Sequence, residues 1–332
     1  MKSIIGRFIF LSYFITAGLT LAAQKPKVVC SASMIWDITK NIAGDHVEHG
    51  LIVPIGGDPH LYEPTPADAQ LVYEADLIFI NGLTFEGWIL ELIANSGTKA
   101  ITDTVTSGIV PISSSKYKDS FDPHAWMDVK NGQIYTRNIK DALISLLPDK
   151  ADEFNANFQT YTKKLKELDD YIIKRISEIP EEKRVLITSH DAFEYYGKRY
   201  GLRLEAMMGI STESEAQTSD MIRISKTIKE TGIPAIFIES TINPKLIQQV
   251  AKDNNVMIGG ELYADSIGDE DSHGNSYINM LKHNTDVIVD ALSHEINPDN
   301  LNKSESGSLW PYLIVGLFFV LGLLLLIIKL NK

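Results

Sequence analysis

Between residues 27 and 297, short apolar runs rich in β-branched residues alternate with amphipathic stretches. Such alternation is the pattern of βαβ units built around parallel sheets. The predicted strands are 27-KVVCSA-32, 50-GLIVPI-55, 76-DLIFI-80, 185-VLITS-189, 235-AIFIE-239 and 256-VMIGG-260. Helical patterns between them include 66-PADAQLVYEA-75, 214-SEAQTSDMIRISKTIKE-230 and 243-NPKLIQQVAKDNN-255. One segment departs from the alternation. Residues 148–179 contain no helix breaker after their start, and Phe154, Phe158, Tyr161, Leu165, Leu168 and Ile172 recur at three- and four-residue spacing. That spacing lays one apolar stripe along a helix of about thirty residues, roughly 45 Å long. It predicts a stiff connector between two units, which a chain of 332 residues is long enough to form.

The ends differ from the middle. Residues 1–23 carry Lys2 and Arg7, an apolar run from Phe8, and the small residues Ala22 and Ala23, the layout of a secretory signal. The rest of the chain is therefore expected outside the cytoplasm. Retention as an N-terminal anchor is the alternative, since Leu21 is a poor residue three before a cut after Ala23. Residues 298–309, which include 301-LNKSESGS-308, read as a polar linker. Residues 310–329 then predict a transmembrane helix, uncharged and apolar up to Lys329. Trp310 and Tyr312 suit the membrane interface, and Lys329 and Lys332 favour a cytoplasmic tail. The globular part would be held on the periplasmic or extracytoplasmic face of the cell membrane.

A formal charge of −12 without any clustered Lys or Arg excludes nucleic acid as a partner. The single cysteine, Cys30, lies within the first predicted strand and reads as core. Lys27, Val28 and Val29 precede it, rather than the small residues that lipid attachment at a new N-terminus needs.

Ligands of parallel sheets collect at the carboxyl ends of strands, which sorts the eight histidines. His190 leaves 185-VLITSH-190 directly from an apolar run. His60 follows 51-LIVPI-55 through a Gly-Gly turn, inside 56-GGDPHLYEPTP-66. His124 sits in 122-DPHAWMD-128, a second copy of the tripeptide 58-DPH-60. The strand 256-VMIGG-260 leads to 261-ELYADSIGDEDS-272, where Asp265 is a turn carboxylate. Three imidazoles and one carboxylate suit Zn²⁺, and suit Mn²⁺ if the carboxylate binds through both oxygens. Without a thiolate, Cu⁺ is not expected. His46 and His49 would face opposite sides of a strand. His283 and His294 fall on the final helix in solvated or capping roles, and His273 lies in the acidic surface loop 268-GDEDSHGNS-276.

The segments GGDPHLYEPTP, DPHAWMD, TSHDAFEYYGKRYGL, GISTESEAQTSD and ELYADSIG resemble, in order and spacing, the zinc/manganese solute-binding proteins of bacterial ABC transporters. The resemblance covers roughly residues 27–296. It implies an α/β fold of two (β/α) lobes with mostly parallel sheets, residues 26–147 and 183–297, joined by the rigid helix at 148–179, with one metal ion in the cleft. His60 and His124 would come from the first lobe, and His190 and Asp265 from the second. It further implies a monomer that hands its ion to an ABC permease and its ATPase. In that family a histidine at the third position is common among zinc members and a glutamate among manganese members, so His190 points to zinc. The histidine-rich loop of many zinc members is absent from 104-TVTSGIVPISSSKYKDSFDPH-124, which leaves manganese and iron open. Imidazole binds metal only when neutral, so weaker binding is expected below about pH 6.5.

Glu63 and Asp128 are candidates for orienting the ligand imidazoles; they also read as turn and cap residues, as do Asp58 and Asp122. Two other functions belong to different classes. A zinc hydrolase would need a general base such as Asp191 or Glu205, but no HExxH motif is present. A surface adhesin would call for an exposed aromatic patch or repeat, and the sequence offers neither.

Overall fold

The computed structural model describes residues 25–113, 121–213 and 216–293. In its first part, strands β1 (Lys27–Cys30), β2 (Glu48–Leu51), β3 (Leu77–Ile80) and β4 (Ile101–Thr104) alternate with helices α1 (Ser33–Ala43), α2 (Pro66–Tyr73) and α3 (Ile89–Ser96). The long α4 (Val129–Leu146) and α5 (Ala151–Ile176) follow. The later part holds β5 (Val185–Thr188), α6 (Glu194–Tyr200), β6 (Arg203–Ala206), α7 (Thr218–Thr231), β7 (Ala235–Glu239), α8 (Lys245–Asn254), β8 (Met257–Leu262) and α9 (Tyr277–Ser293).

The first four strands form one parallel sheet in the order β2-β1-β3-β4. The chain steps from β1 to β2 on one side and then crosses back past β1 to β3. With right-handed crossovers, that reversal places α1 on one face and α2 and α3 on the other. Strand periodicity sorts the core accordingly. Val28, Cys30, Leu77 and Phe79 pack with Met34, Ile35 and Ile38 of α1. Val29, Ile78 and Ile80 pack with Val72, Ile89 and Leu92 of α2 and α3. Helix α2 starts where its sequence dictates: Thr65 and Asp68 form a reciprocal capping box, and Pro66 occupies the first turn.

The second part pairs β5 with β6 and β7 with β8, both parallel, and sets β5 alongside β7. Val185, Ile187 and Ile236 face Ile224, Ile228 and Ile247 of α7 and α8. Leu186, Ala235 and Phe237 turn to the opposite face and join a core that continues through α9, α5 and α4 to α1.

Helix α5 has 26 residues, about 39 Å of helix. Phe154, Tyr161, Leu165, Leu168, Ile172 and Ile176 form its buried stripe, and Phe158 is only partly covered. Near its N-terminus Asn157 Nδ2 donates to the Ile42 carbonyl at the end of α1. Near its C-terminus Arg175 pairs with Asp286 and Asp290 of α9. Asp169 receives Arg199 and Tyr200 of α6. The helix thus packs on both parts at once.

Several expectations are corrected. Strands β4 and β6 and helices α1, α3 and α4 add to the predicted set. Both added strands carry polar residues, ITDT and RLEA, because each lies at a sheet edge. The fold class is corrected at its last component: no helix among the described residues is long and apolar enough to cross a membrane. The predicted span at 310–329, its linker and the signal at 1–23 lie outside the described residues. Cys30 is fully buried in β1, its thiol donating to Thr39 Oγ1, and burial pushes its pKa up to about 12.

Replacing fully buried Leu165 with Ala leaves a cavity under the helix that joins both parts. It is expected to cost about 3 kcal/mol, read from the urea midpoint, whereas exposed Lys163→Ala changes stability by less than about 0.5 kcal/mol.

Candidate metal centre

The repeated Asp-Pro-His tripeptide folds the same way twice. Asp58 Oδ1 accepts the backbone N–H of His60 at 2.9 Å, and Asp122 Oδ1 accepts that of His124 at 2.9 Å. An Asp side chain that binds its own backbone two residues on closes an Asx turn. The intervening proline fixes φ and has no N–H to satisfy. Each turn therefore presents its histidine in a defined direction. The first is approached through Gly56 at φ +80°, a left-handed position that favours glycine.

His190 comes straight off β5, as its sequence position suggests. Its backbone N–H donates to Glu239 Oε1 at 2.8 Å, and its ring Nδ1 lies 2.6 Å from Glu239 Oε2, close enough for ion pairing though not aligned as a hydrogen bond. Glu239 ends β7, so one carboxylate at the end of a neighbouring strand fixes both the backbone and the ring. Asp265 follows β8. The loop that carries it is tied to the His124 segment, because Trp126 Nε1 donates to the Ala264 carbonyl at 3.1 Å.

These four side chains converge. His60 Nε2 lies 3.3 Å from His124 Nε2, His124 Nε2 lies 3.3 Å from Asp265 Oδ1, and His190 Nε2 lies 3.3 Å from Asp265 Oδ2. One donor atom from each falls within 4.8 Å of the others. His60 is 9% exposed, while His124, His190 and Asp265 are at 1% or less. Both Asp265 oxygens are buried without a hydrogen bond among the described residues. Leaving a buried carboxylate in that condition is costly unless a charge faces it. The donor set fits a divalent cation.

The electrostatics separate the histidines. Burial holds His60 down at about 3, so its ring is neutral. Burial also acts to lower His124, but the Asp122 carboxylate against Nδ1, at 2.6 Å, and Asp265 together raise it to about 9. His190 is likewise raised well above its ordinary value, burial being outweighed by Glu239 and Asp265. Asp265 is held well below the usual carboxylate range, burial being outweighed by His190 and His124.

A family model described as zinc-uptake complex component A, periplasmic (ZnuA), matches residues 28–291. The manganese-binding lipoprotein MntA of Halalkalibacterium halodurans is 38% identical over 268 residues, 80% of this chain and 88% of that protein. The manganese ABC transporter substrate-binding lipoprotein PsaA of Streptococcus anginosus is 36% identical over 280 residues, 82% of this chain and 91% of that protein. Among solved structures, the periplasmic zinc binding protein TroA from Treponema pallidum superposes with a TM-score of 0.78 at 37% identity, covering 81% of this chain and all of that one. This chain belongs to the metal solute-binding proteins of bacterial ABC transporters. As a member it is an extracytoplasmic binding protein rather than an enzyme.

The remaining residues named from the sequence take other places in this solute-binding protein. Glu63 is exposed, and Asp128 caps α4 through the Lys130 N–H, so neither orients an imidazole. Asp122 and Glu239 fill that role. Sequence reasoning missed Glu239, although it stands at the carboxyl end of the apolar strand 235-AIFIE-239, the criterion that singles out His190. Glu205, considered as a hydrolytic base, is bound by Arg203 and Arg223. His46 meets Glu153 from a 3-10 turn rather than a strand, and His49 bonds the Gly44 carbonyl. His273 and His283 stack with centroids 5.9 Å apart, away from the four-residue cluster, and His294 lies outside the described residues.

The raised His124 and His190 shift the expected pH window. Their rings are protonated at neutral pH, so an incoming cation has to displace protons, and affinity falls as pH drops from about 9 rather than from 6.5. More than one proton is expected to leave per ion at pH 7, measured by titration calorimetry in buffers of different ionisation enthalpy. Release of no proton would show that the His124 and His190 rings are already neutral at pH 7, and would overturn the shifted window. Glu239→Gln is expected to weaken binding by about 10- to 100-fold.

Proposed function

We propose that the chain captures one divalent transition-metal ion between two lobes, residues 26–147 and 183–297, connected by the helix at 148–179. Its ligands are His60, His124, His190 and Asp265, and it delivers the ion to an ABC permease and ATPase. The observation that carries this reading is the convergence of four buried residues, each with one donor atom within 4.8 Å of the others; in this reading each lobe contributes two. A site assembled this way ties affinity to small displacements of the loops that carry its donors, which suits capture followed by release.

Manganese is the cargo best supported by the carboxylate. Asp265 sends one oxygen toward His124 and the other toward His190, which suits an ion that takes three nitrogens and both carboxylate oxygens. Zn²⁺ sites usually take four donors, whereas Mn²⁺ readily accepts more oxygen. MntA and PsaA carry manganese in their names. Zinc is the second reading, supported by the 3.3 Å separations of His124 Nε2 from His60 Nε2 and from Asp265 Oδ1. That distance is the edge of a tetrahedron with bonds of about 2.0 Å, and TroA is named for zinc. Zinc outcompetes manganese at most nitrogen and oxygen sites, so tight zinc binding alone does not name the cargo.

Metal-stripped protein is expected to take up one equivalent of Mn²⁺ or Zn²⁺, by elemental analysis and competitive titration. His190→Ala should lose on the order of 100-fold or more in affinity, beyond the effect of disturbing an orienting partner. Cells lacking the gene should stop growing in manganese-depleted medium and not in zinc-depleted medium. The reverse result assigns zinc, and unimpaired growth in both overturns the transport role.

A further inference from the structure

Three of the four donor residues are sealed off, and His60 alone is measurably exposed at 9%. An ion from solvent therefore reaches the His60 side first. The residues that flank His60 line a cavity of about 250 Å³, whose walls include Asp58, Leu61, Ser189, Met207, Thr212 and Leu246. Asp58 and Leu61 bracket His60 in sequence, and Ser189 immediately precedes His190. The Ser189 side chain is buried at 1%, and its Oγ makes no hydrogen bond among the described residues. A hydroxyl left so costs about 1–3 kcal/mol unless something else satisfies it.

One hydrogen bond ties the two parts of the chain together at this cavity. Thr212 Oγ1, beyond β6, donates to Asp58 Oδ2, beyond β2, at 2.7 Å. The other oxygen of the same carboxylate holds the His60 backbone N–H. Opening the Thr212 contact would free a carboxylate oxygen facing the cavity and loosen the His60 turn in the same movement.

We propose that this cavity is the port through which the ion enters and leaves, that Asp58 and the Ser189 hydroxyl form a transient subsite for a partly hydrated divalent cation, and that the Thr212–Asp58 hydrogen bond latches it. The proposal rests on the metal reading of the four donor residues. Asp58 supplies the negative charge that attracts the ion. Its Oδ2 and the Ser189 oxygen replace waters as the ion sheds them, and His60, two residues from Asp58, takes the ion inward. The same barrier is crossed in both directions, so a change confined to the port alters association and dissociation by one factor and leaves the equilibrium constant alone.

The test uses the full chain with Mn²⁺ alone, association being followed by stopped flow with a fluorescent chelator and dissociation by chase with excess chelator. Leu246→Trp, which fills the cavity from α8, should slow both rates by about fivefold or more with the dissociation constant within about twofold of native. Thr212→Val keeps the side-chain volume but removes the donor, and both rates should rise by about fivefold or more. Native rates in Leu246→Trp overturn the port, and native rates in Thr212→Val overturn the latch. A loss of affinity carried by dissociation alone, in either variant, also overturns the proposal by assigning that residue to ligand geometry. If the native protein takes up no stoichiometric ion, the failure is that of the four-residue site.

Discussion

A buried carboxylate set between two imidazoles from different parts of the chain governs this structure. Asp265 is 1% exposed, with one oxygen toward His124 and the other toward His190. Burying an ionised carboxylate costs several kcal/mol unless facing charges offset it. His124 and His190 supply those charges, each backed in turn by Asp122 or Glu239. The result is a chain of five groups, carboxylate, imidazole, carboxylate, imidazole, carboxylate, running from one part of the molecule to the other. With both rings protonated its net charge is −1. A divalent cation that displaces both protons leaves the total unchanged. Capture is then an exchange of like charge at one place, and the surrounding protein need not reorganise to absorb a new field.

The scaffold limits how that exchange can occur. The core runs without a break from α1 through α4 and α5 to α9, and α5 is bonded to α1, α6 and α9 along its length. Parts that share a large apolar interface do not swing as free bodies. Wide hinge opening would have to expose residues such as Leu165 and Leu168 of α5. Small movements of the loops after β2 and β6, which meet through Asp58 and Thr212, disturb none of that core. Exchange through a local port is the less costly route.

What was legible in the sequence follows from one geometric rule. Parallel sheets gather their ligands at strand carboxyl ends, so His190 and Asp265 could be placed from the apolar runs before them, and His60 from its run plus a turn. Buried strands such as 77–80 announce themselves by composition, whereas β4 and β6 do not, since an edge strand half-covered by neighbours keeps polar residues like Thr102, Asp103 and Glu205. Glu239 obeyed the rule and was still missed. A single acid at the end of AIFIE looks like the point where a strand meets water, and only the fold reveals that β5 delivers His190 beside it. The identity of the metal is less legible again. Counting histidines points to zinc, but the direction of both Asp265 oxygens is a property of the folded loop.

The two Asp-Pro-His turns show how one local motif yields two different ligands. In the second, Asp122 Oδ1 accepts both the His124 backbone N–H and the ring Nδ1, so the imidazole is fixed in place and its basicity raised. In the first, Asp58 Oδ1 holds the His60 backbone while Oδ2 reaches across to Thr212, and burial keeps the ring neutral. One histidine is anchored by its own turn. The other is held by its turn through the backbone alone, the second oxygen of that carboxylate being taken by Thr212, and it is the one on the solvent side. A neutral imidazole needs no deprotonation before it binds, so His60 is suited to meet the ion first, while the protonated pair behind it sets how strongly the ion is finally held.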